Sequence, residues 1–250
     1  MGTGTSQGVP VISCPCEVCA STDARDKRLR SAIMVETEET AIVVDAGPDF
    51  RQQMLRNTPK KLDAIIITHE HNDHVIGMDD VRPFNFIQRT DMPVYATPKV
   101  QKELRKRFAY VFAENPYPGA PMIKLCDISK DVAFEINDIK IQPIEVIHGK
   151  LPVLGFRFGD FTYLTDVKTI AEEELDKVKG TRYLVLNALH HKPHYSHLNL
   201  EEALELSKKI GAEKTYLTHC SHRMGFYTEV MKTLPEGVEL AYDGLVVEVD

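Results

Sequence analysis

Thr68-His69-Glu70-His71-Asn72-Asp73-His74 follows a short apolar run, Leu62 to Ile67, in a chain of 250 residues. The spacing is H-x-H-x-D-H. These three imidazoles and one carboxylate cannot share one stripe of a helix that turns every 3.6 residues. At a strand end, a loop can turn all four inward on one point. Imidazole and carboxylate together suit divalent zinc, manganese or iron. Two ligand pairs interleaved this tightly call for two ions side by side, each needing further ligands from elsewhere. Such a pair of ions is a hydrolytic device, because it activates water and clamps both attacking and leaving oxygens.

Working outward, apolar β-branched runs predict strands over Ser31–Glu36, Ala41–Asp45, Leu62–Thr68, Pro93–Ala96, Ile139–Val146, Leu154–Phe158, Phe161–Thr165, Tyr183–Asn187, Thr215–His219 and Val238–Val249. Helical periodicity predicts Asp49–Arg56, Lys99–Phe112, Ile170–Val178, Leu200–Ile210 and Tyr227–Leu234. Asn199 is the expected N-cap of the fourth helix and Gly211 its stop. Residues 115–121 are proline-rich and read as a loop, either a lid or a plain connection. There is no linker or low-complexity tract, so one domain over 1–250 is expected. Its two halves share a layout of strands followed by helices, which suggests two sheets packed face to face with helices outside, an α+β architecture.

The missing ligands stand just past predicted strands. His148 follows Ile139–Val146, Asp166 closes Tyr-Leu-Thr-Asp, and His219 closes Tyr-Leu-Thr-His. One ion then takes His69, His71 and His148. The other takes Asp73, His74 and His219. Asp166 is the natural bridge, since a carboxylate has two oxygens to share.

Bulk properties narrow the classes. Hydrophobic residues make up 43%, enough for a sizeable core, and no stretch approaches the roughly 20 apolar residues of a membrane span. A net charge of −7 with no long basic face argues against broad nucleic-acid binding. The local run Lys102-Glu103-Leu104-Arg105-Lys106-Arg107 reads as the solvated side of a helix. Five cysteines, an odd number, with no basic-then-apolar leader, point to a reducing cytoplasm. Three of them, Cys14, Cys16 and Cys19, have C-x-C-x-x-C spacing, which is metal spacing rather than disulfide spacing.

The pattern His69-x-His71-x-Asp73-His74, His148, Asp166 and His219 resembles the metallo-β-lactamase superfamily of hydrolases. The resemblance covers essentially the whole chain and implies an αββα four-layer sandwich with a dinuclear site. Asp45 matches a position where that superfamily places a carboxylate that orients a ligating imidazole. The amino-terminal segment Gly2-Thr-Gly-Thr-Ser-Gln-Gly-Val-Pro through Cys19 is similar to the phosphoribosyl cyclic-phosphate phosphodiesterase branch, and also to the pyrroloquinoline-quinone biosynthesis protein B branch. The first branch implies a separate structural zinc in the 1–30 loop, held by Cys14, Cys16, Cys19 and His222, a closed set without an open position. It also implies that His197 contacts substrate phosphate and protonates the leaving oxygen. His194 is read as a second substrate-binding residue, and His190, His191 and His194 as lining the mouth. Relatives usually carry a strand before the Gly-Thr-Gly-Thr-Ser segment, so the first sheet edge is open to question.

The expected activity is hydrolysis of a small phosphodiester, with 5-phospho-ribose 1,2-cyclic phosphate the specific candidate. Asp73 and His197 would be catalytic, alongside two active-site cations (manganese, zinc or iron) and one structural zinc. Three alternatives stand beside it: a tRNA 3′-processing endonuclease, a lactone or thioester hydrolase, and a non-catalytic carrier of the quinone-biosynthesis kind. Relatives often pair, which leaves a homodimer open without an interface signature to support it.

Overall fold

Ala41-Ile-Val-Val and Ala64-Ile-Ile are buried at every position. Such runs belong to central strands of a sheet covered on both faces. In the computed structural model, which describes residues 1–249, they are neighbours in a five-stranded sheet. The strands in chain order are β1 (Ile33–Glu36), β2 (Ala41–Val44), β3 (Ala64–Ile66), β4 (Met92–Ala96), β5 (Ile123–Asp127), β6 (Phe134–Ile136), β7 (Ile139–His148), β8 (Leu151–Phe158), β9 (Phe161–Leu164), β10 (Tyr183–Asn187), β11 (Lys214–Thr218) and β12 (Val238–Leu240). The helices are α1 (Glu17–Ala20), α2 (Phe50–Asn57), α3 (Asn72–Val75), α4 (Arg82–Gln88), α5 (Pro98–Arg107), α6 (Glu172–Val178), α7 (Leu200–Ile210) and α8 (Tyr227–Met231).

The first sheet has the order β1-β2-β3-β4-β5, with β1 antiparallel to β2 and the rest parallel. The second has the order β12-β11-β10-β9-β8-β7-β6. Its β9 to β12 run parallel, while β8 is antiparallel to both β7 and β9. Two mixed sheets with helices make the fold α+β, as the sequence implied. The chain divides into two compact units, Ala32–Lys140 and Met1–Ser31 with Ile141–Asp250.

In the 32–140 unit, Ile42, Ile65, Ile66, Val94, Phe50 and Leu104 are fully buried. In the other unit the core joins Ile144, Val146, Leu164, Leu184, Leu186 and Leu217 to Ala203 of α7 and Val230 of α8. Helix α7 starts at a capping box, in which Asn199 and Glu202 satisfy each other's backbone N–H, and stops at Gly211 with φ 75°.

Several elements depart from expectation. β5, β6 and α4 stand where no regular structure was predicted. The strand expected over Val238–Val249 ends at Leu240, because Leu245 N–H closes a turn onto Tyr242 and the Asp243 carboxylate is taken by Thr3 and Leu29. α5 stops at Arg107 rather than Phe112, with Phe108 N–H capping Leu104. No helix is long and apolar enough to cross a membrane.

Candidate metal centres

The parallel pairing of β2 with β3 sets two strand ends side by side. Asp45 N–H donates to Ile66 O at 2.9 Å, which places the Asp45 carboxylate beside the start of the His69 loop. That carboxylate is fully buried. It accepts Thr68 N–H at 2.9 Å, the Thr68 hydroxyl, and His74 Nδ1–H at 2.6 Å. Burial pushes the Asp45 carboxyl up, and His74 and Thr68 pull it back.

The protons can be followed from there. The Thr68 hydroxyl gives its one proton to Asp45, so at its 2.9 Å contact with His69 Nδ1 it accepts. His69 is therefore protonated on Nδ1 and presents the lone pair of Nε2, which lies 2.9 Å from His71 Nδ1. His74, with Nδ1 bound to Asp45, presents Nε2 at 3.3 Å from an Asp73 oxygen. Rings fixed through one nitrogen, with the other nitrogen turned toward further donors, are the arrangement of metal-ligating histidines.

Backbone contacts hold the loop to the sheet. Ala46 N–H donates to His74 O at 2.7 Å. A Cβ on Gly47 would fall 1.9 Å from the Asp73 carbonyl oxygen, so only glycine admits this approach. From α5, Lys99 pairs with the Glu70 carboxylate at 3.0 Å and Arg107 donates to the Glu70 carbonyl.

The second unit contributes its own donor set, again from strand ends. His148 closes β7, and its Nδ1–H donates to the Ser196 carbonyl at 2.8 Å, which leaves Nε2 as the ligating nitrogen. Asp166 follows β9 and takes the Thr165 hydroxyl on Oδ2 at 2.7 Å. Its Oδ1 lies 3.4 Å from His219 Nε2, 3.8 Å from His197 Nδ1 and 3.9 Å from His148 Nε2. Asn187, at the end of β10, fixes the turn by accepting Val167 N–H at 2.6 Å and donating to Val167 O at 3.2 Å. Asp166 and His219 both take left-handed backbone, φ 58° and 56°, and Asp45 does the same at 70°. None is glycine, and such conformations persist where the surroundings enforce them.

His197 belongs to this cluster more closely than a substrate-contacting role requires, since its ring offers a ligand atom alongside those of His148 and Asp166. Burial, then the neighbouring His219, lowers its pKa to about 2. His191 instead donates Nε2–H to the Met224 carbonyl, and His190 accepts Lys192 N–H, so both hold the loop together. His194 accepts Ser196 N–H at 3.3 Å.

The three amino-terminal cysteines gather around one imidazole nitrogen. Cys14, Cys16 and Cys19 Sγ lie 3.3, 3.2 and 3.5 Å from His222 Nδ1. Tetrahedral zinc with ordinary bond lengths separates sulfur from nitrogen by roughly 3.5 Å, so the donors fit that ion. Cys16 caps α1 by accepting Cys19 N–H, and that bond, with His222, lowers its thiol pKa to about 6. All five cysteines are free of disulfides. Cys220 is fully buried among apolar side chains, as a small hydrophobe would be.

The family model for the beta-lactamase superfamily domain matches residues 40–220, most of the chain. The chain belongs to the beta-lactamase superfamily. Within the superfamily, a crystal structure of a diphosphatase from the PhnP family is 39% identical with a TM-score of 0.92, over 100% of this chain and 96% of that one. That likeness places the chain in the PhnP family as well. The octanoyltransferase of Porphyromonas gingivalis is 41% identical over 252 residues, covering 100% of this chain and 51% of that protein. The chain thus spans about half the length of this relative. Zinc-bound PqqB from Methylobacterium extorquens shares the fold, with a TM-score of 0.80 at 18% identity over 99% of this chain and 98% of that one. The fold is the metallo-hydrolase fold of the superfamily.

Proposed function

We propose that the chain is a dinuclear metal-dependent phosphohydrolase of a small organic phosphate, with a cyclic phosphodiester such as 5-phospho-ribose 1,2-cyclic phosphate as the leading substrate. The observation that carries the reading is the tautomer pattern. His69, His74 and His148 each have Nδ1 committed to a hydrogen bond, leaving Nε2 for a cation. His69, His71 and His148 would hold one ion, Asp73, His74 and His219 the other, and Asp166 would serve both. Bound there, two divalent ions lower the pKa of water and stabilise charge on phosphoryl oxygens.

The remaining work falls to side chains. Asp45 holds His74 in one orientation, and Asn187 fixes the turn after Asp166. His197 rests as a neutral imidazole, since burial disfavours its charged form. A phosphate anion beside it would favour the charged form, and His197 stands where a proton is needed on the leaving oxygen.

A second reading is hydrolysis of a diphosphate, favoured by the 39% identity to the PhnP-family diphosphatase. The same groups serve both reactions, and only the leaving group differs. The test is phosphorus NMR of the cyclic phosphodiester, a nucleoside diphosphate and an octanoyl thioester control (monitored by thiol release) with manganese- or zinc-loaded protein. Conversion of a phosphorus substrate by the wild type and not by Asp166→Asn supports the proposal. Turnover of the thioester alone would replace it with acyl chemistry. His197→Ala should lower turnover by ~10²–10⁴ with metal content intact, and metal loss in that variant would make His197 a ligand.

A further inference from the structure

Four rings form a column that leads out of the second donor set. His219 stacks on His197 with centroids 4.8 Å apart and planes 27° apart. His197 meets His194 at 5.2 Å and 33°, and His194 meets Tyr195 at 4.8 Å and 37°. His219 and His197 are buried and His194 is half-buried, whereas Tyr195 is 82% exposed, the most exposed Phe or Tyr side chain among the described residues.

Tyr195 does not sit on a loose loop. The next residue, Ser196, gives its carbonyl to His148 and its N–H to His194, and Leu198 N–H donates to Val167 O at 2.8 Å. Gly149, at φ 64°, packs below: a Cβ there would stand 3.3 Å from Ser196 Cβ and 3.6 Å from Tyr195 Cε2. A rigid aromatic held in water offers contact area at little entropic cost. Its uncovered surface is then available to a planar partner, because the segment beneath is already ordered.

We propose that Tyr195 is a stacking platform for a nucleobase, so that the substrate class is a nucleotide rather than a bare sugar phosphate. This rests on the phosphohydrolase reading above. The inner end of the column suits phosphoryl groups and the outer end presents a π-face. A nucleotide carries both chemistries. Stacking is tolerant of which base is present, so the platform predicts a preference for a base without a strong preference among bases.

The experiment exploits the absence of tryptophan from the chain. Tyr195→Trp creates a single-tryptophan protein, to be titrated with adenosine monophosphate and, separately, with ribose 5-phosphate. Saturable quenching by the nucleotide and none by the sugar phosphate is expected. Equal responses to both, or none to either, would overturn the platform. In parallel, the ratio of kcat/KM for adenosine 2′,3′-cyclic phosphate to that for 5-phospho-ribose 1,2-cyclic phosphate should fall about tenfold in Tyr195→Ala and hold in Tyr195→Phe. An unchanged ratio in Tyr195→Ala counts against the proposal. If neither ester is hydrolysed, the cyclic-phosphodiesterase reading fails, while the fluorescence titration still decides the platform.

Discussion

Oδ2 of Asp45 lies 2.6 Å from Nδ1 of His74, and the same carboxylate takes the backbone N–H of Thr68, the residue before His69. One buried side chain therefore fixes both ends of the His69–His74 loop. Asp45→Asn keeps the size of the side chain but replaces one acceptor with a donor facing His74. It should weaken metal binding at the site ~10–100-fold. Competition with a chromophoric chelator measures this, and wild-type affinity in the variant would show that the contact does not orient the ligand.

Gly47 faces the Asp73 carbonyl so closely that a single methyl group has no room. The obstacle is backbone, which a rotamer change cannot relieve. Gly47→Ala should cost ~1–3 kcal/mol in a urea unfolding curve, as overpacking does. It should also lower metal content, because the displaced carbonyl belongs to a candidate ligand. A variant as stable as the wild type would mean that the chain shifts there without strain.

Thiol labelling reads the amino-terminal centre. With metal bound, Cys14, Cys16 and Cys19 should resist alkylation. After chelation they should react, with Cys16 first, since its lowered pKa of about 6 leaves it largely thiolate at neutral pH. Cys220 should stay silent throughout, because burial pushes its pKa up to about 11 and closes off access. Mass spectrometry of peptides assigns the labels, and early modification of Cys220 would contradict the buried placement.

Acid stability should carry a contribution from Asp138. The Thr40 hydroxyl, then Thr37, hold its carboxyl below the usual carboxylate value. A depressed folded pKa stabilises the protein above the unfolded value of about 3.9, and that stabilisation fades as pH falls through the folded value. Asp138→Asn should therefore unfold at lower urea than wild type at pH 7, with the gap narrowing as pH falls below the unfolded value and through the folded one. A gap that does not change with pH would assign the effect to packing.

The donors were legible in the sequence because they are chemically rare and stand at strand ends that β-branched runs announce. His69–His74 and Asp166 stand just past predicted strands, and Thr68 and His219 are the last residues of theirs. The missed elements lacked that contrast. β5, Ile-Lys-Leu-Cys-Asp, ends a sheet and alternates only partly buried positions, and β6 has three residues, too few for a period. α4 begins with Arg-Pro and has no side-chain cap. The loop role of His190 and His191 was also hidden, since their partners are a backbone carbonyl and a backbone N–H rather than other side chains.

Asp45, Asp166 and His219 share a backbone conformation that glycine would adopt more comfortably. Glycine there would relieve the backbone but would remove the donors, and at Asp45 the buried bonds that hold His74 and Thr68. Backbone ease and donor chemistry therefore oppose each other at these three strand ends, and a thermostabilising programme for this protein should leave them alone and look elsewhere.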